Sequence, residues 1–383
     1  MAEWRVLVAE TLTGKIVADV IPAAFPSYER VLNDKGSWGV SLLVGEAANS
    51  SVDLHTYTQS GKYSWIIAYG EHITQAGPVW TYQFDDDSSR LSVAGAGIGS
   101  EFGKRVLRNP NGRTAIVDPS EDLAYRGLSL RGIQRQLVAD NMVQAGYELP
   151  IDLPEPEEGV AERTYFGYDL AWVADRMDDL SKVIGGPEFD FVPYFVPREN
   201  RIRWRLDIGS PLLGNQHTSA VWDYGGALGS INVDVDGGSA PAARVWVKGS
   251  GSEREMLTGF AEDTSWHERG FPPIDYVDSS HTSVTEQPTL EGYADAALAD
   301  YADPLETWTC SVRVDGARLQ ETGVEISPAL GNWALGDAPV FYLSGHPWLP
   351  DGGFRRRIIG YSNDTQDTAS LQLEQTTLTT GEA

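Results

Sequence analysis

The chain has 383 residues, and its 29 Lys and Arg stand against 55 Asp and Glu, which gives a formal net charge of −26. Because a general phosphate-binding surface needs clustered basic side chains, this composition excludes a general nucleic-acid binder. Hydrophobic residues make up 41% of the chain, which excludes a disordered protein, and at this length two to four domains are expected.

Short β-type runs follow one another over residues 1–98. They include WRVLVAE near the N-terminus, then VWTYQF and RLSVAG, with the acidic turn DDDSS between the last two. GAGIG at 95–99 is not a dinucleotide fingerprint, since Ser100 replaces the third glycine, and it is interpreted as the turn that leaves the domain. Residues 1–98 are therefore predicted to form a first antiparallel β-barrel tube-like domain.

Residues 99–209 are predicted to form an inserted α+β domain with two helices. The first helix follows Ser129, a good N-cap, and the second follows Asp169, another suitable cap. A proline-rich acidic stretch, LPIDLPEPEEGV, separates them and should run extended over the surface. Gly185 and Gly186, followed by Pro187, end the second helix.

The stretch GGPEFDFVPYFVPRENRIRWRLDIG, residues 185–209, supports two interpretations. Glu188 and Asp190 are two residues apart, so in a strand they share a face at roughly 7 Å, a spacing that suits an inverting glycosidase. The favoured interpretation is a β-hairpin with a turn at 197–200. Its register pairs Phe189 with Ile208, Phe191 with Leu206, Pro193 with Trp204, and Phe195 with Ile202.

In this hairpin the apolar face is expected to pack against the second helix, and Asp190 is expected to lie opposite Asp207 in a solvent-facing charge lattice. The candidate site is accordingly a structural motif and not a catalytic one. Its predicted members are Gly186, Pro187, Glu188, Phe189, Asp190, Phe191, Trp204 and Leu206.

The remaining chain is predicted to form a second β-barrel tube-like domain from residues 210–256 and 306–383, interrupted by a loop-helix segment at 257–305. NVDVDGG at 232–238 matches half of a calcium loop, but the twelfth position is Ala243 in place of a glutamate, so Asp234 and Asp236 are assigned to a strand that ends in a turn. The lone Cys310 alternates with apolar residues and is assigned to a core.

No residue pattern indicates an enzyme or a cofactor. G-x-S-x-G and H-E-x-x-H motifs are absent from the sequence, and His267 with Glu268 is only a loose acid-base candidate. No apolar window of about 18 residues indicates a membrane span. Two alternatives to an assembly protein stay open: a glycoside hydrolase using Glu188 and Asp190, and a carbohydrate-binding or receptor-binding module using the aromatic loop with Trp266, His267 and Tyr276.

The order of motifs resembles one family. The motifs are WRVLVAETLTG, RTYFGYDLAWVADRMDDL, GGPEFDFVP, RIRWRLDIGSP, WDYGGALGSINVDVDGG, RVWVKGSG, LGDAPVFY and FRRRIIGYSND. Together they resemble the minor tail proteins of long-tailed actinobacterial phages, in the branch that forms the baseplate hub. GGPEFDF with its partner RIRWRLDIG is the most specific piece.

The resemblance implies a virion protein of the tail tip, assembled in the host cytoplasm and needing no cofactor. It implies a homotrimer in which each subunit supplies two related β-barrel tube domains, so that three chains match a hexameric tail-tube or distal tail protein above. Other minor tail proteins and the end of the tape measure would be its neighbours. Genomic DNA would pass through the lumen without specific binding, because an acidic wall repels the duplex.

Overall fold

The computed structural model describes residues 3–45, 47–110, 112, 117–143, 146, 148–183, 185–237, 242–282, 284–300, 305–318, 323–363 and 365–375. The chain divides into two compact units. The first comprises Met1–Ile231 and Thr309–Ala383, and the second comprises Asn232–Trp308.

The first β segment is a run of antiparallel strands with one short helix, α1 (Leu54–Tyr57). Its strands are β1 (Trp4–Glu10), β2 (Ile16–Val20), β3 (Ser27–Val31), β4 (Ser37–Leu43), β5 (Tyr63–Tyr69), β6 (His72–Asp85) and β7 (Arg90–Gly95). Strand β6 is long enough to pair with β5 through its first half and with β7 through its second half. The acidic stretch after β6 forms the predicted hairpin turn to β7.

The insert begins with a 3-10 helix, Ile98–Lys104. Its further elements are β8 (Leu123–Leu128), α2 (Leu130–Met142), β9 (Ile151–Asp152), β10 (Ala161–Tyr165), α3 (Val173–Ser181), β11 (Phe189–Phe195) and β12 (Ile202–Ile208). Helix α2 begins as predicted, because the Ser129 side chain accepts a hydrogen bond from the Gly132 amide at its N-terminus. Helix α3 begins later than predicted.

Asp169 does not cap α3. It ends a 3-10 turn, Gly167–Asp169, and the next residue, Leu170, adopts a left-handed conformation with φ 46°. This conformation interrupts the helical path, so Trp172 becomes the N-cap, without a side-chain capping bond. The apolar spacing of the sequence also predicts Ile184 as the last apolar residue of this helix, and Ile184 lies outside the described residues.

Five further elements follow the insert up to the small helix α4: β13 (Val221–Asp223), β14 (Leu228–Asp236), β15 (Arg244–Lys248), β16 (Thr258–Glu262) and α4 (Ser265–Glu268). Next come β17 (Asp275–Asp278), α5 (Gln287–Asp300), β18 (Leu305–Arg313), β19 (Ala317–Arg318), β20 (Glu325–Ser327), β21 (Val340–Leu343), β22 (Gly352–Asn363) and β23 (Thr368–Gln375). The second β segment consists of β13, β14, β18, β21, β22 and β23.

The two β segments share one sheet. Its main order is β14-β18-β23-β22-β3-β4-β7-β6-β5-β1-β2, with β21 also on β22 and β13 on β21. The joining strand is β22, which pairs with β21 through its first residues and with both β3 and β23 through its last ones. Over the described residues the sheet stays open, with β2 and β14 at its ends, so the two-barrel detail is not confirmed.

The insert is packed onto the first β segment through one hydrophobic core. Residues of β1, β5 and β6 contribute to the same buried cluster as α2, α3 and the β11–β12 hairpin, including Ile66, Ile133, Met177 and Trp204. The chain is therefore mainly β with helical insertions, as predicted, and the four-part division of the domains stays a prediction. Among the described helices, none is long and apolar enough to cross a membrane.

The second unit is a small α/β arrangement. Strand β15 lies between β16, which is antiparallel to it, and β17, which is parallel to it. One face of this sheet packs on α5, through Val245, Val247 and Ala261 against Leu290 and Ala294. The segment 257–305, predicted to consist of a loop and a helix, thus also contains two strands of this sheet, β16 and β17.

Candidate functional site: a buried ion-pair seam

The β11–β12 hairpin has the predicted register. Phe189 lies opposite Ile208, Phe191 opposite Leu206, Pro193 opposite Trp204, and Phe195 opposite Ile202. Just before the hairpin, Gly186 lies so close to the end of α3 that a Cβ on it would come within 2.4 Å of the Leu180 carbonyl oxygen. Gly186 and Pro187 therefore bring the chain directly from α3 into the hairpin.

The apolar face of the hairpin is buried. Trp204 has no exposed surface, and its Nε1 donates a hydrogen bond to the Ala76 carbonyl of β6 at 3.2 Å. Phe191 stacks on Phe102 of the 3-10 helix with ring centroids 5.6 Å apart. This face thus packs on β6 and on the 3-10 helix. The sequence predicted α3 as its partner, and α3 contributes residues to the same buried core.

Asp190 does not face solvent in a charge lattice. Only 8% of it is exposed, and its Oδ2 accepts a hydrogen bond from the Arg30 guanidinium at 2.5 Å. Arg30 lies on β3, and its Nη1 also donates to the Tyr361 hydroxyl of β22 at 3.2 Å. That hydroxyl donates in turn to the Thr74 carbonyl at 3.0 Å. One buried carboxylate thereby reaches both strands that join the two β segments.

Glu188 makes the equivalent connection to the second β segment. Its carboxylate accepts a hydrogen bond from Nη2 of Arg357, on β22, and another from the Leu213 amide at 2.7 Å. Arg357 is 4% exposed, and its Nη1 also donates to Glu374 of β23 at 2.6 Å. We call these two buried ion pairs, Arg30–Asp190 and Arg357–Glu188, with the β3–β22 pairing between them, the seam.

Aromatic rings continue across the seam. Neighbouring rings in this series have centroids 5.1 to 6.2 Å apart and run in the order Trp4, Tyr28, Tyr361, Trp333, Trp222 and Phe341. Pairs at such distances stabilise a fold by about 0.5–1.5 kcal/mol beyond area burial. The series begins in the first β segment and ends in the second, so it fixes their relation together with the ion pairs.

The electrostatics of the seam favour charged arginines. Burial by itself lowers the pKa of Arg30, but the charge of Asp190 and the hydrogen bonds to Asp190 and Tyr361 raise it above its ordinary value. Burial also lowers the pKa of Arg357, but the hydrogen bond to Glu188 and the charge of Glu188 raise it above its ordinary value. Both cations are thus permanent counter-charges for the two carboxylates.

This arrangement does not support Glu188 and Asp190 as a glycosidase pair. Each carboxylate is occupied by a buried arginine, whereas an acid and a base need access to substrate and water. The cavity beside Asp190, lined in part by Arg30, Gln75 and Phe191, has a volume of about 10 Å³. That is room for one water molecule and not for a sugar ring.

The other sequence candidates lie elsewhere. Trp266 is 3% exposed, and its Nε1 donates to the Pro272 carbonyl at 2.8 Å, so it is a core residue of the second unit. Tyr276 is half-buried against the cluster between the sheet and α5, and the side chain of His267 lies outside the described residues. Asp234 and Asp236 lie on strand β14, which confirms the strand interpretation. Cys310 is buried as predicted, and burial raises the pKa of its thiol.

No group of three or more metal-ligating side chains occurs among the described residues. The functional residues that the sequence did not indicate are Arg30 and Arg357, each far along the chain from its carboxylate. The sequence gives a local indication for Arg30 only. Arg30 lies two residues after Tyr28 in a strand, so both side chains are on the same, inner face. Nothing local indicates which carboxylate each arginine binds.

No protein-family model and no curated protein matches the chain. Solved structures match it nearly end to end. The 43 kDa tail protein of prophage MuSo2 from Shewanella oneidensis is 11% identical, with a TM-score of 0.58 over 97% of this chain and 98% of that chain. A tail protein from Neisseria meningitidis MC58 is 13% identical, with a TM-score of 0.54 over 97% and 96%.

A third match is the prophage tail protein gp18 from Listeria monocytogenes EGD-e, which is 12% identical, with a TM-score of 0.50 over 98% of this chain and 95% of that chain. At such low identities the similarity concerns architecture and not chemistry. The chain shares the fold of these tail proteins.

Proposed function

We propose that this chain is a structural protein of a phage tail tip, the hub that continues the tail tube as a trimeric ring and anchors other tail-tip proteins. The observation that carries the proposal is the end-to-end match to three phage or bacterial tail proteins, which covers at least 95% of each of them. A match of that extent concerns the whole arrangement of sheet and inserts. It does not rest on one common module.

The open sheet supports a ring. Its two end strands, β2 and β14, each have a sheet partner on one side only among the described residues. Unpaired edges invite strand pairing with another chain, and pairing around a closed ring removes them. In the proposed trimer, β2 of one copy meets β14 of the next, so that three open sheets make one continuous tube wall.

Each subunit would then present two β segments to the tube above, six positions in total for a hexameric tail-tube or distal tail protein. The seam supports this role, because the buried ion pairs and aromatic series hold the two segments in one fixed relation. That the two segments superpose as related tube domains is part of the proposal. Other minor tail proteins and the tape-measure end would bind around this ring.

The net charge of −26 is consistent with a conduit for DNA. A lumen lined by carboxylates repels the phosphate backbone, so the duplex slides through without binding. The proposed location is the virion tail tip, after assembly in the host cytoplasm. No catalytic step is assigned to the chain.

Native mass spectrometry of the purified protein tests the ring, and two edge variants make it specific. Ala18 and Asp19 are consecutive residues of β2 whose partners on β1 are Val8 and Leu7. Consecutive residues of a strand direct their N–H groups to opposite sides. One of the two variants Ala18→Pro and Asp19→Pro therefore removes an N–H group that faces away from β1, and the other removes an N–H group that faces β1. We expect trimers for the wild type, and a folded monomer for the variant that loses the N–H group facing away from β1. A wild-type monomer would reject the ring.

A carbohydrate-binding function has one observation in its favour. Trp246 and Phe260, on the face of the second unit's sheet away from α5, are 40% and 41% exposed, with ring centroids 4.4 Å apart. Asp275 accepts a hydrogen bond from Trp246 Nε1 at 3.0 Å and so fixes the indole. Titration calorimetry with host cell-wall polysaccharide tests this function: binding that Trp246→Ala abolishes supports it, and absence of heat rejects it.

A further inference from the structure

The sheet of the second unit has one exposed face, on the side away from α5. Three apolar side chains lie in a row across this face, one from each strand: Phe260, Trp246 and Val277, exposed by 41%, 40% and 50%. The strand register places them side by side, because Trp246 pairs with Phe260 of β16 and with Val277 of β17. The row is therefore one continuous apolar surface, and we call these three side chains the apolar row.

A polar row lies beside the apolar row on the same face. Arg244 is two residues before Trp246 on β15, and the register places it between Glu262 of β16 and Asp275 of β17. Side chains two residues apart in a strand share a face and are about 7 Å apart along it. A carboxylate, a guanidinium and a second carboxylate therefore run parallel to the apolar row. We call Glu262, Arg244 and Asp275 the polar row.

Asp275 fixes the two rows to each other. Its Oδ1 accepts a hydrogen bond from Trp246 Nε1 at 3.0 Å, and its Oδ2 accepts one from Arg244 Nη2 at 2.7 Å. The hydrogen bonds from Trp246 and Arg244 hold the pKa of Asp275 below its ordinary value, so the carboxylate stays an acceptor. A ligand that uses these groups meets them already oriented, which reduces the entropy that binding costs.

The position of the apolar row within the sheet excludes strand addition as its use. Trp246 lies on the middle strand, β15, whose backbone already pairs with β16 and β17, whereas an added strand needs an unpaired edge. The charges of this face are balanced as well, since Arg244 and Lys248 of β15 stand against Glu262 and Asp275 of the neighbouring strands. The face therefore does not attract a polyanion or an anionic membrane surface.

A sugar ring has the chemistry that both rows need. The C–H groups on the face of a pyranose carry a partial positive charge, and they stack on the negative face of an aromatic ring. The hydroxyl groups at its edge both donate and accept hydrogen bonds, whereas a carboxylate only accepts and a guanidinium only donates. Two adjacent hydroxyls therefore match Asp275 and Arg244 together. An apolar side chain of a protein partner covers the apolar row and desolvates the polar row without giving it hydrogen bonds.

We propose that this face of the second unit binds a pyranose with two adjacent free hydroxyls, with the sugar ring on Trp246 and the hydroxyls on Asp275 and Arg244. The proposal rests on the carbohydrate-binding function considered above and specifies the ligand of that function. A sugar whose hydroxyls are separated or substituted still stacks on the apolar row, but it loses the hydrogen bonds of the polar row. Binding should therefore depend on the pair of hydroxyls as well as on the indole.

Affinity electrophoresis of the full chain in gels that contain a polysaccharide tests the proposal. The probes are host cell-wall polysaccharide, soluble starch, galactan and mannan, each intact and after periodate oxidation, which cleaves the bond between carbons that carry adjacent hydroxyls. We expect at least one intact polysaccharide to retard the chain, and oxidation to weaken that binding by at least about tenfold. Equal retardation by intact and oxidised polysaccharide would overturn the proposal and leave carbohydrate binding in place. Retardation by none of the intact polysaccharides would reject both.

Variants locate the binding. Trp246→Ala should weaken it by at least about tenfold, and Asp275→Asn, which keeps the shape and removes the charge, by about threefold or more. The matched control is Trp348→Ala, which removes a tryptophan exposed by 83% in the first unit and should change the affinity less than about twofold.

Two results with these variants would overturn the proposal. One is an equal loss of binding in Trp246→Ala and Trp348→Ala, and the other is self-association of the wild type that Trp246→Ala abolishes. The unfolding midpoint shows whether each variant is folded. Asp275 is exposed, so Asp275→Asn carries the test if Trp246→Ala does not fold.

Discussion

Substitution of Asp190 by alanine should destabilise the first unit far more than an identical substitution on the same hairpin. The side chains of Arg30 and Asp190 are only 6% and 11% exposed, so Asp190→Ala leaves a buried guanidinium without its counter-charge. Breaking a buried pair in this way costs about 3–5 kcal/mol. The Tyr361 hydroxyl, which is neutral, remains as the other partner of Arg30 and cannot replace the carboxylate.

Asp207→Ala is the matched control, because Asp207 lies directly opposite Asp190 in the β11–β12 ladder. Its partner Arg205 has a side chain that is 58% exposed, so loss of this ion pair should cost about 0–1 kcal/mol. Urea unfolding followed by tryptophan fluorescence measures both variants against the wild type. A gap of about 2 kcal/mol or more between the two variants is the expected result.

A second comparison separates charge from packing. Arg30→Met combined with Asp190→Leu removes both charges and keeps apolar volume, so it should recover most of the stability that Asp190→Ala loses. Equal destabilisation by Asp190→Ala and Asp207→Ala would refute the seam as a buried electrostatic contact. A double variant less stable than Asp190→Ala would contradict the charge-based explanation.

Three further changes should have measurable effects on urea unfolding. Trp204→Ala should cost about 3–5 kcal/mol, because a fully buried indole and its hydrogen bond to Ala76 are lost. Gly186→Ala should cost about 1–3 kcal/mol, since its Cβ would clash with the end of α3, whereas Gly292→Ala, where a Cβ meets nothing within 4 Å, should cost nothing. Burial, and secondarily the charge of Arg30, lowers the pKa of His72 to about 4 from 6.5, so the unfolded state binds the proton first. Stability should therefore fall by about 2 to 3 kcal/mol between pH 6.5 and 4, and His72→Gln should remove that part; an unchanged pH profile would exclude the effect.

The sequence predicts the hairpin well because its information is local. Apolar residues alternate on both sides of a four-residue turn, and only one register pairs all of them. The same alternation places Glu188 and Asp190 on the opposite face, which sequence reasoning assigns to solvent. The arginines that bind these carboxylates lie on β3 and β22, more than 150 positions away along the chain. No local pattern indicates that β3 and β22 pair beside the hairpin.

The α-helices show the same division between local and distant information. Ser129 caps α2 through a bond within its own first turn, which a sequence pattern can indicate. Asp169 has the same capping chemistry, but the left-handed Leu170 and the pairing of the segment with residues 105–107 move the start of α3 to Val173. In the second unit, β15 pairs in parallel with β17, which lies about thirty residues later in the chain. The alternation of apolar and polar residues within a strand does not indicate such a distant partner.

Cryo-electron microscopy of the tail of a phage whose genome encodes this chain tests the central claim most directly. The account predicts three copies in a ring at the distal end of the tail tube, with β2 of each copy beside β14 of the next and the lumen lined by carboxylates. Particles that lack the chain, or that hold it as isolated copies away from the tube axis, would contradict the account.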